Sequence, residues 1–397
     1  MFKTLLLWMT SKRILWVLVF IAIINSMGFG IIIPLLYPYG KKFGVTEHTI
    51  GLLTAAFSIA QFFATPVLGS LSDKYGRKPL LVFSLIGTAA SFILFGLANS
   101  IFMLFAARIL DGLTGGNISV AQAMVSDISS PKERAKNFGI LGSAFGFGFV
   151  IGPAIGGLLS KFGMKVPFFF AAGIAILGVL LTWFFLKETN KNKGKKADGE
   201  YKFTFAALYT VLKKPVIGTA IFTGFLLTMA QFTMLIGFQT FSVDQLKLNP
   251  TQIGLFYGGF GISGILMQML VPAIKKVISS QATILLISTL FCLGMMIVAG
   301  LATGFVLFAV GVGIYGLFNG LRNPMLNAII ADRIDDNERG QVMGLNQSYI
   351  SIGQTLGPVG AGLVAAISVH SIFFLSSLFI LIALLFSIRL IIKEKQS

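Results

Sequence analysis

Twelve long apolar stretches, one after another, limit what this chain can fold into. They run at roughly 14 to 38, 48 to 70, 80 to 98, 101 to 126, 136 to 160, 166 to 186, 216 to 240, 251 to 273, 281 to 302, 304 to 331, 341 to 367 and 370 to 391. Each is about 20 residues or slightly more, enough for a helix to cross a hydrocarbon core of roughly 30 Å. Hydrophobic residues make up 55% of the chain and charged residues 11%, which is too apolar for a surface facing only water. In lipid every backbone amide needs an internal partner, and stretches this long satisfy that as helices, not as the shorter strands of a barrel. The fold class expected is an all-α membrane protein with twelve transmembrane helices.

The formal net charge of +17 invites a nucleic-acid reading, which the placement of the charges excludes. With the N-terminus inside, the outer loops hold Lys41, Lys42, Lys161, Lys165 and Lys247, and Arg108 and Arg322 lie clearly within spans, away from their ends. The remaining Lys and Arg gather on the other side, as the positive-inside rule requires. The charge therefore records topology and contact with anionic lipid headgroups, with both termini cytoplasmic. The first span follows Lys3, Lys12 and Arg13 like a secretory signal, but it is too long, contains Pro34 and lacks a small-residue cleavage site, so it is kept as a membrane helix. Cys292 is the single cysteine, so no intrachain disulfide forms, and no Cys/His cluster offers a metal site. Neither a cofactor site nor a Ser/His/Asp constellation is visible, so an enzyme is not expected.

A Lys-rich polar stretch, "KETNKNKGKKADGEYKFTFAALYTVLKKP" at 187–215, divides the chain. It separates a six-helix bundle at 1–186 from a second at 216–397. Its first part reads as a flexible inside linker, and "FTFAALYTVLKK" as a short amphipathic helix along the membrane surface. The halves are related: residues 115–158 align without a gap to 320–363, matching Asp127 with Asp332, Glu133 with Glu338, Arg134 with Arg339, Gly152 with Gly357 and Pro153 with Pro358. Six spans per half make the repeat parallel, about an axis along the membrane normal. Two such bodies can rock about a central site.

The loop "GSLSDKYGRKPLL", with Gly69, Leu71, Asp73, Gly76, Arg77 and Lys78, resembles the signature loop of the major facilitator superfamily. "GFVIGPAIGG" in span five resembles the antiporter signature of its drug exporters, and Arg108 followed by Gly112 their fourth-span signature. "NSMGFGIIIP" in span one is similar to the tetracycline exporters. The resemblance implies two pseudo-symmetric six-helix bundles and an exporter of an amphipathic organic compound or drug. It implies alternating access in exchange for protons, in the bacterial cytoplasmic membrane, by a functional monomer. Export of a metabolite, sugar or lipid, or transport without protons, stands as the alternative. It also implies that Asp73 meets the start of span eleven near Gln341 to Gly344 and that Arg77 meets Asp127, a latch for the outward-open state. Topology alone also accounts for Lys74, Arg77 and Lys78, and both readings stand.

A charge at mid-bilayer costs at least about 2.5 to 3.5 kcal/mol, so each one present needs a reason. Arg108 and Asp111 are one helical turn apart in "RILDG" and can pair. Either the pair only makes the arginine tolerable, or Asp111 accepts a proton or a cationic group. Arg322, before Asn323 and Pro324, occupies the repeat position of Asn117; either it anchors a helix end or pairs with a carbonyl, or it faces the cavity, where with Arg108 and Asp111 it would make the site net positive and favour anionic or zwitterionic substrates. Asn25, Asn117 and Gln231 offer hydrogen bonds along the same pathway. The resembled antiporters commonly carry an acid in span one, where this chain has Asn25, and the second half has no membrane-centred acid, so tetracycline is not implied as substrate. Gly148, Gly152, Gly156 and Gly157 follow one side of span five around Pro153, with Gly353, Gly357 and Pro358 on span eleven. They mark either simple close packing or a rocking contact across the axis.

Overall fold

The computed structural model describes residues 2–190, 205–334 and 339–396, and the structural statements below concern those residues. All of their regular structure is helical. Spans one to three are Phe2–Ile32, Glu47–Tyr75 and Arg77–Leu97. Span four is two helices, Ile101–Leu113 and Asn117–Ile128, and spans five and six are Pro131–Leu159 and Val166–Phe185. Span seven is Pro215–Thr240, span eight Pro250–Met269 with Val271–Val277, and span nine Gln281–Gly300. Spans ten to twelve are Phe305–Ala331, Arg339–Ala365 and Val369–Gln396. Among the described residues, 10 helices are long and apolar enough to cross a membrane, or 11 with the pair in span eight counted as one span bent by 48°. Span eleven has the length, but Gln347, Ser348, Ser351, Gln354 and Thr355 lower its hydropathy.

The breaks have local causes. Span one stops at Ile32 and not near 38, because Pro34 has no N–H to donate and forces its predecessor out of helix; a short helix, Leu36–Gly40, follows. Span four is interrupted at Thr114–Gly116, where two glycines weaken the helix, and span eight bends at Leu270 just before Pro272. Large apolar side chains such as Phe63, Phe102, Phe184 and Val306 are more than 60% exposed. In water such a surface would aggregate, whereas in hydrocarbon it faces its own kind.

The chain forms two compact units. One comprises Met1–Gly44, Ile59–Glu200 and Asn249–Gly258; the other comprises Val45–Ser58, Tyr201–Leu248 and Gly259–Ser397. The opening turns of span two thus pack with the second half of the chain, and those of span eight with the first.

Glycine sets the closest helix contacts in both units. A Cβ on Gly148, Gly152 or Gly156 of span five would lie 2.5 to 2.7 Å from the carbonyl oxygens of Ile23, Met27 and Ile31 of span one. In the second unit a Cβ on Gly353 or Gly357 would lie 3.0 and 2.6 Å from the carbonyl oxygens of Phe225 and Met229 of span seven. These are the same repeat positions, 148 with 353 and 152 with 357. The rocking contact expected across the axis is therefore not made by these residues: they clamp two helices of one half, backbone to backbone. Gly157 behaves differently. Its Cβ would lie 2.8 Å from Pro250 O and 3.0 Å from Gly254 Cα, in the opening turns of span eight. A Cβ on its repeat mate Gly362 would lie 2.7 Å from His48 O, in the opening turns of span two, and one on Gly51 there would meet the backbone of Pro358 and Gly362.

Candidate functional site

The buried charged side chains among the described residues are Arg108, Asp111 and Arg322. Arg108 and Asp111 lie on the first helix of span four, which Ser100 caps by accepting from Met103 N–H. Their spacing puts both on one face, and Arg108 Nη1 lies 3.6 Å from Asp111 Oδ2. The hydroxyls of Thr88 and Ser91 on span three lie beside the Asp111 carboxylate, and Ser91 Oγ donates to Thr88 O at 2.8 Å. Phe29 of span one lies under the guanidinium, 5.8 Å from ring centroid to Cζ, a cation–π contact. Span one, span three and span four thus converge on one buried ion pair. Asn25 is half-buried on span one, one helical turn before Phe29. The side chain of Asn117 lies outside the described residues.

The second unit holds a different cation. Arg322 of span ten donates from Nη1 to Leu227 O at 2.8 Å and from Nη2 to Gln231 Oε1 at 2.6 Å, both on span seven. Its Nε reaches Asn323 Oδ1 at 3.4 Å. Sequence places Gln231, Arg322 and Asn323 far apart or merely adjacent; the structure makes them one cluster. The repeat mates of Arg108 and Asp111 are Gly313 and Gly316, so the carboxylate of the first unit has no counterpart here.

At the loop end of the first unit, Gly76 has φ 110°, a conformation that favours glycine and turns the chain into span three. A Cβ on Gly69 would meet nothing within 4 Å, so no close approach among the described residues demands glycine there. Arg77 binds Asp73 at 2.6 Å, Asp127 at 3.4 Å and Ser72 Oγ at 2.6 Å. Lys78 Nζ donates to Trp183 O at 2.7 Å. The side chain of Gln341 lies outside the described residues. In the second unit the donor is a neutral amide: Asp332, the repeat mate of Asp127, accepts from Gln281 Nε2 at 3.1 Å.

Sequence reasoning missed Glu188. The segment that follows span six reads as flexible linker, yet Glu188 accepts from the backbone N–H groups of Arg77 at 3.0 Å and Lys78 at 3.2 Å. Those amides open span three, where helix geometry leaves donors unsatisfied and the dipole favours a carboxylate. Thr189 donates to Asp127 Oδ2 at 2.8 Å, and Asn190 Nδ2 donates to Asp73 O at 2.8 Å. The available signal was an isolated acid in a basic stretch. Residues 191–204 of the expected linker lie outside the described residues, and Phe205–Leu212 beyond them is helical. Replacing Glu188 by Ala is expected to destabilise this loop by about 1.5 to 3 kcal/mol, the range for hydrogen bonds to a charged group. Trypsin cleavage at Lys187 under native conditions reports it: faster in the variant if Glu188 anchors the segment, unchanged if it does not.

Comparisons with known proteins agree on one plan. A model of the Major Facilitator Superfamily matches residues 18–313 and 276–397. The class H tetracycline resistance protein of Pasteurella multocida is 29% identical over 355 residues, covering 88% of each chain. Multidrug resistance protein 2 of Bacillus subtilis is 28% identical, covering 98% of this chain and 97% of the relative. A crystal structure of the nucleoside transporter NupG superposes with a TM-score of 0.76 at 14% identity, covering 95% of this chain and 99% of that one. Twelve helices in two six-helix sets are the architecture that these likenesses support.

Proposed function

The chain belongs to the Major Facilitator Superfamily, and we propose that it exports an amphipathic organic compound in exchange for protons by alternating access. As a member of that family it is a membrane transporter and not an enzyme. The observation that carries the proposal is the environment of Asp111, a buried carboxylate that touches a guanidinium and two hydroxyls at the meeting of three spans. A buried acid in such surroundings changes its partners when it gains a proton, which is what coupling requires. The relatives named for resistance to tetracycline and to multiple drugs support an organic cargo moving outward. Asn25 and the second half without a membrane-centred acid argue that the cargo is not tetracycline itself.

Alternating access draws support from the repeat. Thr251 Oγ1 donates to Gly157 O at 2.7 Å, and His48 Nδ1 lies 3.0 Å from Gly362 O. Residues 157 and 362 are repeat mates, so each compact unit closes on a borrowed helix opening through the same carbonyl position. We read these as two equivalent clasps that make and break as six-helix bodies 1–186 and 216–397 rock. The Asp73, Arg77 and Asp127 cluster, with Gly69, Gly76 and Lys78 in its loop, acts as the latch on the cytoplasmic side, where both termini lie, and Glu188 steadies it. The protein works as a monomer in the bacterial cytoplasmic membrane, its outer surface in contact with lipid.

Proteoliposomes carrying an imposed pH gradient test the reading. Ethidium, a quinolone and 1-naphthylacetate are added in turn, and internal pH is followed with a trapped dye. Proton movement started by at least one compound, and absent from protein-free vesicles, is expected. Compound uptake that ignores the gradient would contradict proton exchange.

A further inference from the structure

Arg322 differs from Arg108 in one respect that bears on cargo. Every side-chain or backbone group that accepts from it, Leu227 O, Gln231 Oε1 and Asn323 Oδ1, is neutral. Among the described residues no Asp or Glu forms an ion pair with it. The residue is 7% exposed, so a full positive charge is held almost out of contact with solvent with no counter-ion among the described residues. A guanidinium carries five N–H donors; three are engaged, which leaves two without an acceptor among the described residues. Burying an uncompensated charge is costly, and a chain keeps one where something else completes the pair.

The cluster is not sealed. Asn323 and Asn327, one helical turn apart on span ten, are exposed, and Asn319, a turn earlier, and Gln231 are half-buried. A polar stripe of this kind faces water and not lipid. Span ten also carries Tyr315, two turns before Arg322, whose ring stacks on Phe260 with centroids 6.1 Å apart. A buried aromatic pair and a guanidinium with no counter-ion among the described residues therefore occur in one compact unit.

We infer that Arg322, oriented by Gln231 and Leu227 O, receives a carboxylate of the transported compound, so that the cargo class is amphipathic organic acids or zwitterions. As a statement about cargo this rests on the export reading; as a binding site it does not. Guanidinium and carboxylate match in planar, two-point geometry, which an ammonium or an amide does not reproduce.

The test uses purified full-length protein in detergent without any gradient, and two nearly isosteric probes, 1-naphthylacetate and neutral 1-naphthylacetamide. Binding by thermophoresis is expected to favour the acid by at least about tenfold, the usual scale for a charge-assisted pair. In Arg322→Met the two probes are expected to bind alike. Gln231→Glu is the second variant: it supplies a carboxylate at a site already bonded to Arg322, so the charge is paired from within and the acid preference is expected to vanish while the cluster stays held. Equal binding of the two probes by the unaltered protein, binding of neither, or a tenfold preference that survives Gln231→Glu would overturn the inference. So would full displacement of naphthylacetate by equimolar acetate, which would show that the apolar part contributes nothing. Acid preference without gradient-driven export would overturn only the export reading.

Discussion

An Asp111→Asn protein is expected to lose proton-driven transport by about 100-fold or more, the scale set by removing a positioned proton carrier. Asn keeps the shape, but it cannot take up a proton and it no longer neutralises Arg108. That second loss has its own effect: breaking one side of a buried pair costs about 3 to 5 kcal/mol. Arg108 is 2% exposed and Asp111 7%, so solvent does little to soften it. The two effects separate in Arg108→Met/Asp111→Asn, where no unpaired charge remains. The double variant is expected to recover most of the lost thermal stability, read as Tm in detergent, and none of the proton-coupled transport. Recovery of transport with stability would show that Asp111 serves only to make Arg108 tolerable.

The glycine clasps give the second large effect. A side chain at Gly157 would meet Pro250 O at 2.8 Å, Gly254 Cα at 3.0 Å and Thr251 Cα at 3.1 Å, all of them main-chain atoms with little room to retreat. At Gly362 the obstacle is His48 O at 2.7 Å. Overpacking of this kind costs about 1 to 3 kcal/mol, which moves a two-state equilibrium about 5- to 150-fold. Gly157→Leu and Gly362→Leu are each expected to slow transport by about tenfold or more, to a similar degree, because the two positions are repeat mates. Gly142, on the same helix as Gly157, has open space where a Cβ would lie, with nothing within 4 Å, so Gly142→Ala is the control and is expected to transport normally. Uptake rates in the same vesicles decide the matter. Normal transport by Gly157→Leu would remove the clasp from the account.

The fold class was legible because the solvent is: in lipid an apolar stretch of about 20 residues has hardly any alternative to helix. The repeat was legible because Gly152, Pro153, Gly357 and Pro358 mark helix contacts that only those residue types permit. What a small residue does not say is which helix comes close. Gly148, Gly152 and Gly156 face span one, while Gly157, one residue on, faces span eight, and nothing in the letters separates them. Glu188 was hidden for a different reason. Its partners are backbone N–H groups more than a hundred residues earlier, and amides at a helix opening leave no mark in composition. Arg108 with Asp111 was readable from spacing alone, since both lie on one helix. The Arg322 cluster was not, because Gln231 and Leu227 come from span seven and only packing brings them to span ten.

In the mechanism we propose, two six-helix bodies expose one site to each side in turn. It is tested most directly by distance distributions between spin labels, with the buried Cys292 replaced by Ala. One pair sits at exposed Lys74 and Lys276, in the loops after spans two and eight; the other sits at exposed Lys161 and Ile367, after spans five and eleven. Changing pH or adding cargo is expected to lengthen one distance while it shortens the other. Two distances that lengthen together, giving a path open at both ends, would contradict it.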